Sequence, residues 1–273
     1  MADGYKPSPR PTFDRPTLIK AGEVVEHFWG DPEAGRVLDH IYVSSSDIHV
    51  IVFEMQAGER FTHSEAYRTV FGADELLHVL EGTMVIANPE TGEVVRAPAG
   101  TSVFFRKDTW HHAFAHGGTR LRVLEFFSPP PSTGSSGPYA RTRPYLEDVR
   151  YLDERVGTVP GPRPRGSFEL VTEGGLFWRR DLGVLEGVLA STEHLAVHQV
   201  EVNPGERSEA RVHAGETLVY VTHGSLLVAL EDVELRLEPG DAAYIPASVA
   251  HRYANDGHET AVALAGHGPG LRR

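Results

Sequence analysis

The sequence contains no cysteine, which excludes disulfides and thiolate metal sites together. It has no long apolar run either; no stretch approaches the ~20 apolar residues that cross a bilayer as a helix. Met1 to Thr17 is rich in proline and charge, unlike a secretory leader, and a cytoplasmic protein is expected. Basic residues are in deficit: 26 Lys and Arg stand against 38 Asp and Glu, a net charge of −12. A polyanion needs a basic face, so neither nucleic acid nor an anionic membrane is the expected partner. Long amphipathic helices are missing too.

The chain has 273 residues, 40% hydrophobic and 23% charged, enough for two domains that each bury a core. Short β-branched or apolar runs follow one another: His49–Phe53, Thr83–Ala87, Leu121–Phe126, then His194–Val202, Leu226–Leu230 and Val233–Leu237. Turn chemistry separates them, as in Asn88-Pro89-Glu90-Thr91-Gly92. Many short strands at this spacing predict a sandwich or barrel. Between the halves, Ser128–Pro138 and Pro160–Gly166 are breaker clusters, so the connector is expected to be irregular, with one helical turn around Tyr145–Asp153.

The sequence also repeats. Phe53-Glu54-Met55-Gln56-Ala57-Gly58-Glu59-Arg60 is answered by Val200-Glu201-Val202-Asn203-Pro204-Gly205-Glu206-Arg207. Each copy continues with an apolar strand ending in glycine (Gly82, Gly224), then a second glycine (Gly100, Gly240) and a histidine eleven residues on (His111, His251). The offset is 142 at the first glycine pair and 140 at the second pair and at the histidines. Such constancy implies two copies of one all-β unit, and a site copied with it.

Gly240-Asp241-Ala242-Ala243-Tyr244-Ile245-Pro246-Ala247-Ser248-Val249-Ala250-His251 through Asn255 resembles the second motif of the cupin superfamily, with Ser248 where glycine is usual. Pro204-Gly205 through Gly224 has the length of the first motif, and the amino-terminal copy resembles both more loosely. The resemblance implies two tandem cupin barrels of double-stranded β-helix type, at residues 20–128 and 167–268, with an arm (1–19) and a connector (129–166). It also implies a metal at the barrel centre, held by two histidines and a glutamate of the first motif and a histidine of the second. Imidazole and carboxylate suit Fe(II), Mn(II), Zn(II) or Ni(II).

Carried onto the first copy, the pattern selects His63, Glu75 and His111, with Glu65 as a candidate fourth ligand. His63 lies five residues after Gly58, where six is usual, and the stretch from His63 to Glu75 is six residues longer than that from Arg211 to Thr217. In the second copy His213 and His251 fit, but Arg211 and Thr217 replace a histidine and the glutamate, so that site reads as degenerate. Glu216 is one residue early, which on a strand turns it to the other face. His112 and His116 are likewise expected to face away from His111, at a surface or interface, and Trp110, Phe104 and Phe105 to lie in the core. Phe61 and Tyr67 are expected at the pocket rim.

Two imidazoles and a carboxylate form the set used by non-haem iron oxygenases. The expected activity is therefore Fe(II)-dependent dioxygenation of a small carboxylated or phenolic compound, and Trp110-His111-His112 is similar to ring-cleaving bicupin dioxygenases. The alternatives are an Mn- or Zn-dependent isomerase or lyase and a non-catalytic binding bicupin. A homodimer is expected, with either the arm, whose Leu18-Ile19-Lys20 could add to an exposed sheet edge, or the connector lying across a neighbouring barrel.

Overall fold

The computed structural model describes residues 8–130, 138–153 and 166–270. The arm's first seven residues and the connector runs 131–137 and 154–165, including most of both breaker clusters, lie outside the described residues. The remainder is β-structure apart from single helical turns, among them Pro138–Arg141 and Arg150–Leu152.

The first half contains β1 (Thr17–Ile19), β2 (Val25–Asp31), β3 (Gly35–Ser44), β4 (His49–Met55), β5 (Arg60–Phe61) and β6 (Asp74–Glu81). It continues with β7 (Thr83–Ala87), β8 (Val94–Pro98), β9 (Ser102–Phe105), β10 (His112–Ala115) and β11 (Leu121–Ser128). The second half contains β12 (Glu169–Val171), β13 (Phe177–Asp181), β14 (Val184–Ser191), β15 (Ala196–Val202) and β16 (Glu216–His223). It ends with β17 (Leu226–Ala229), β18 (Glu234–Leu237), β19 (Ala242–Ile245), β20 (Arg252–Ala254) and β21 (Ala261–Gly268).

Each half pairs a seven-stranded sheet with a small one. The orders are β12-β9-β6-β11-β4-β3-β2 with β5-β10-β7-β8, and β1-β19-β16-β21-β15-β14-β13 with β18-β17-β20. The two halves are related strand by strand: Glu75 and Phe127 are register partners on β6 and β11, as Thr217 and His267 are on β16 and β21. Gly82 and Gly224 close the equivalent turns at φ +81° and +65°. A Cβ there would meet the Arg120 carbonyl oxygen at 2.4 Å or the Thr260 carbonyl oxygen at 2.7 Å, so only glycine fits.

One strand of each large sheet comes from the other half. β1 pairs with β19, Thr17 opposite Tyr244 and Ile19 opposite Ala242, and Lys20 Nζ reaches Asp241 Oδ2 at 2.7 Å. β12 pairs with β9. The arm strand, expected to cover a neighbouring subunit, thus covers an edge of its own chain. The sequence boundaries likewise put Glu169–Val171 with the second barrel, whereas the strand is hydrogen-bonded to the first.

Three apolar layers result. One fills the first barrel (Ile51, Phe53, Leu77, Val103, Phe105, Val123) and one the second (Val200, Val219, Val228, Ala263). The third lies between the large sheets, where Val50, Val52, Leu76, Leu124 and Phe126 meet Leu218, Tyr220 and Leu264. With both faces covered, these strands are apolar without alternation. In such a strand a polar residue is conspicuous, and those on the inward faces define the site.

Candidate metal centre

The long loop between β5 and β6 folds back over the first barrel, placing Tyr67, Phe71 and Ala73 in its core. Beneath it, Glu75 enters from β6, Glu125 from β11 and His111 from the turn before β10. One ligand atom of each lies within 4.8 Å of the others. Glu75 and His111 are also 3.7 Å apart at Oε2 and Nε2. His111 directs Nδ1 at the Thr109 carbonyl oxygen, 3.2 Å away. The carbonyl can only accept, so Nδ1 carries the proton and Nε2 presents its lone pair to the carboxylates. Phe71 and Phe105 flank the imidazole at 5.6 and 4.8 Å between ring centroids.

Burial decides the charges. Glu75 and Glu125 are both pushed well above the usual carboxylate range, first by desolvation and then by carboxylate neighbours, each other for Glu75 and Asp39 for Glu125. Asp39, from β3, is raised to about 8 by burial. Burial lowers His111 to about 4, so the ring is neutral at physiological pH. Glu75 Oε2 and Asp39 Oδ1 are buried and without hydrogen-bond partners. Buried polar atoms left unpaired cost on the order of 1–3 kcal/mol each, which a bound cation would offset. The donor set and the orphaned oxygen therefore fit a divalent metal.

The structure brings Glu75 and His111 together but not His63. That ring points outward, with Nδ1 2.6 Å from His112 Nε2 and Nε2 2.8 Å from the Leu146 carbonyl oxygen. The extended loop is the physical reason, since its length lets Tyr67 and Phe71 turn inward while His63 packs beneath the connector. Glu65 is exposed and paired with Arg68. Phe61 and Tyr67 are buried, Tyr67 edge-on to Trp29 at 5.0 Å, and so belong to the core and not to a rim. His116 is exposed, while His112 is covered by the connector, its Nδ1 3.1 Å from Tyr151 Oη. Trp110 and Phe105 are buried and Phe104 partly so. Glu125 and Asp39 went unnoticed in the sequence, although an acid within the apolar run Leu121–Phe126 was the available signal.

In the second barrel His251 repeats the geometry of His111, with Nδ1 3.2 Å from the Val249 carbonyl oxygen. His213 and His251 are 5.6 Å apart between centroids, and His213 stacks at 3.7 Å on His267. Thr217 Oγ1 lies 2.7 Å from His267 Nδ1, and His198 is 5.7 Å from His267. Burial lowers His198, His213 and His251 to about 4, and His267 further in the same direction. Arg211 is held by Glu186 and, at 2.7 Å, by Asp181. Glu216 faces the first barrel, accepting from Tyr244 Oη at 2.8 Å.

The Cupin domain family matches residues 198–266. The protein SchB of Streptomyces halstedii is 44% identical over 57 residues, spanning 20% of this chain and 41% of SchB. The chain thus matches less than half the length of that relative. Among solved structures, a variant of Bacillus subtilis oxalate decarboxylase superposes with a TM-score of 0.67 at 13% identity, covering 97% of this chain and 80% of that one. A glyoxylate-induced protein from Pseudomonas aeruginosa gives 0.66 at 14% identity, covering 98% and 95%. At such identities the likeness is one of fold. Residues 198–266 thus match a cupin domain, and the chain as a whole shares the fold of these solved structures. No helix among the described residues is long and apolar enough to cross a membrane.

Proposed function

We propose that the first barrel binds a divalent cation on Glu75, His111 and Glu125 and that the protein is a metal-dependent enzyme acting on a small carboxylated compound. One observation carries this reading: three buried donors converge within 4.8 Å, and Glu75 Oε2 has no hydrogen-bond partner. Two carboxylates and one imidazole are an oxygen-rich set, which favours Mn(II), with Fe(II), Zn(II) and Ni(II) after it. Such an ion supplies Lewis acidity toward a substrate oxygen. Phe71, Phe105 and Phe127 exclude water from the trio, and Asp39, protonated at neutral pH beside Glu125, is placed to give or take a proton.

The donor set also bears on reaction class. Oxygenases of the facial-triad type use two imidazoles and one carboxylate, whereas here the count is reversed. That supports a lyase over O2-dependent ring cleavage. A decarboxylase accords with the oxalate decarboxylase whose fold is shared and whose Mn(II) centres another of its structures describes.

The test is metal content of the purified protein, then CO2 release and O2 uptake with small dicarboxylic, oxo- and phenolic acids. Mn(II)-dependent CO2 release without net O2 consumption is the expected result. Stoichiometric O2 uptake with a phenolic acid would instead favour dioxygenation. A protein that neither contains nor takes up a divalent ion would leave the binding-protein reading.

A further inference from the structure

In each copy two backbone hydrogen bonds zip the turn before the site histidine to the loop before the site strand. Asp108 N and His111 N donate to the Phe71 and Thr69 carbonyls at 2.9 and 3.1 Å. Ser248 N and His251 N donate likewise to the His213 and Arg211 carbonyls at 2.8 and 3.0 Å. The six extra residues of the first copy, 63–68, precede this zipper and free His63 from the barrel. In the second copy Arg211 anchors the zipper to its own barrel through Asp181 and Glu186. Thr69, its counterpart, is too short for that, and connector residues 138–153 supply the anchor as a strap. Arg68 Nη1 donates to the Arg143 carbonyl at 2.9 Å, and Val70 packs with Trp110, Ala140 and Leu146. Arg143 Nε donates to Asp108 at 2.9 Å. Both neighbours of Thr69 and the start of the His111 turn are thus held from outside.

A one-way chain of hydrogen bonds fastens the rest of the strap. Burial lowers both His63 and His112, so each ring is neutral and carries one proton. The Leu146 carbonyl can only accept, so His63 Nε2, 2.8 Å away, holds that proton and His63 Nδ1 is a lone pair. His112 Nε2 must then donate to His63 Nδ1 at 2.6 Å. That leaves His112 Nδ1 to accept from Tyr151 Oη at 3.1 Å. One carbonyl fixes both tautomers. Trp110 and Tyr145 flank the His63 ring edge-on at 5.1 and 5.2 Å. Because His112 follows His111 directly, whatever holds its ring also holds the backbone of the site histidine.

We propose that His63, His112, Arg143 and Tyr151 are positioning residues for the metal centre, taking Glu75, His111 and Glu125 as its ligands. Through them the strap holds His111 at both ends of its turn and sets the affinity of the first barrel for its cation. Groups that orient a ligand without touching the ion typically change affinity by about 10- to 100-fold. His63 and His112 then serve the centre from outside the barrel, through hydrogen bonds and not as ligands.

The experiment uses the full chain after chelation, with nitrogen NMR of the histidine rings in the metal-free protein and calorimetric titration with Mn(II). The parent should show His63 and His112 protonated on Nε2 and His111 on Nδ1. Arg143→Ala and Tyr151→Phe, at half-buried strap residues, should each lower Mn(II) affinity about tenfold and give His111 a mixture of tautomers. His63→Ala should do the same. His63→Asn, whose amide oxygen can accept from His112 in place of Nδ1, should recover most of that loss. Mn(II) affinity and His111 signals unchanged in both Arg143→Ala and Tyr151→Phe would overturn the positioning role. Equal losses in His63→Ala and His63→Asn, or a His112 proton on Nδ1, would overturn the hydrogen-bonded chain. A parent that takes up no divalent ion would refute the metal reading instead, and the His111 tautomer in the strap variants would then decide the positioning role.

Discussion

The two barrels share a backbone and differ in what they point inward. Where the first has Glu75, Glu125 and Phe127, the second has Thr217, Ala265 and His267, while His111 and His251 are the same residue with the same carbonyl partner. The first interior has two carboxylates beside one imidazole, and the second has imidazoles beside a hydroxyl. The difference shows that the barrel fixes donor positions, whereas donor chemistry changes residue by residue, above all on the last strand of each copy.

The comparison first assumes that the barrels fold as one unit, and that assumption gives the largest expected effect. Phe126 is fully buried between the large sheets, against a Gly266 whose Cβ would come within 2.3 Å of its ring. Phe126→Ala should cost about 3–5 kcal/mol in urea unfolding. Two separate transitions in the parent protein would break the assumption.

The metal preferences come next. Glu125→Gln should weaken Mn(II) binding by about 100-fold or more, beyond what residues that merely orient ligands contribute. Thr217→Glu with Ala265→Glu should carry oxygen chemistry into the second barrel and give it Mn(II) affinity, read by titration. If it gains none, donor identity is not what separates the two copies.

The pH dependence sets buried acids against buried histidines, which act in opposite directions. Asp39 is raised from 3.8 to about 8, so its contribution is fully present below about 3.8 and is lost progressively as pH climbs from there to about 8. His49 and His198 are lowered to about 3 and about 4, so theirs is present above about 6.5 and fades as pH falls. Each group changes stability by at most about 1.4 kcal/mol per pH unit. Buried histidines prevail, so stability of the metal-free protein should rise from pH 4 to 6.5 and then decline gently toward 8. Asp39→Asn should flatten the alkaline side and His198→Phe the acid side, measured as the urea midpoint.

The smallest effect is at a pair of turns. Asp108 and Ser248 are equivalent and share a left-handed backbone, φ 70° and 65°. Ser248→Gly should stabilise by somewhat under about 1 kcal/mol, relief of that conformation being partly offset by glycine's entropy. Asp108→Gly should not, because its carboxylate accepts from Arg143 Nε at 2.9 Å.

Much of this was legible in the sequence, for particular reasons. The glycines at 82 and 224 could be read because no other residue fits those turns, and Glu75 and His111 because their spacing to nearby glycines is fixed by strand length. His63 could not be placed, since an extended loop frees a residue from strand periodicity and here turns it outward. Glu125 and His267 sit in strand segments buried on both faces, where no alternation marks which side a polar residue takes. The exchange of β1 and β12 between halves was illegible because three-residue strands carry almost no pattern of their own.

That exchange bears on the order in which the molecule can be completed. Among the described strands a ribosome would deliver β1 before the others, and its partner β19 follows more than two hundred residues later. The first half would emerge with its leading strand unpaired and an edge at β9 waiting for β12. Neither half can finish alone, and closing such distant contacts is slow. Nascent-chain proteolysis should find Thr17–Ile19 cleavable until the last hairpins are made, then protected all at once.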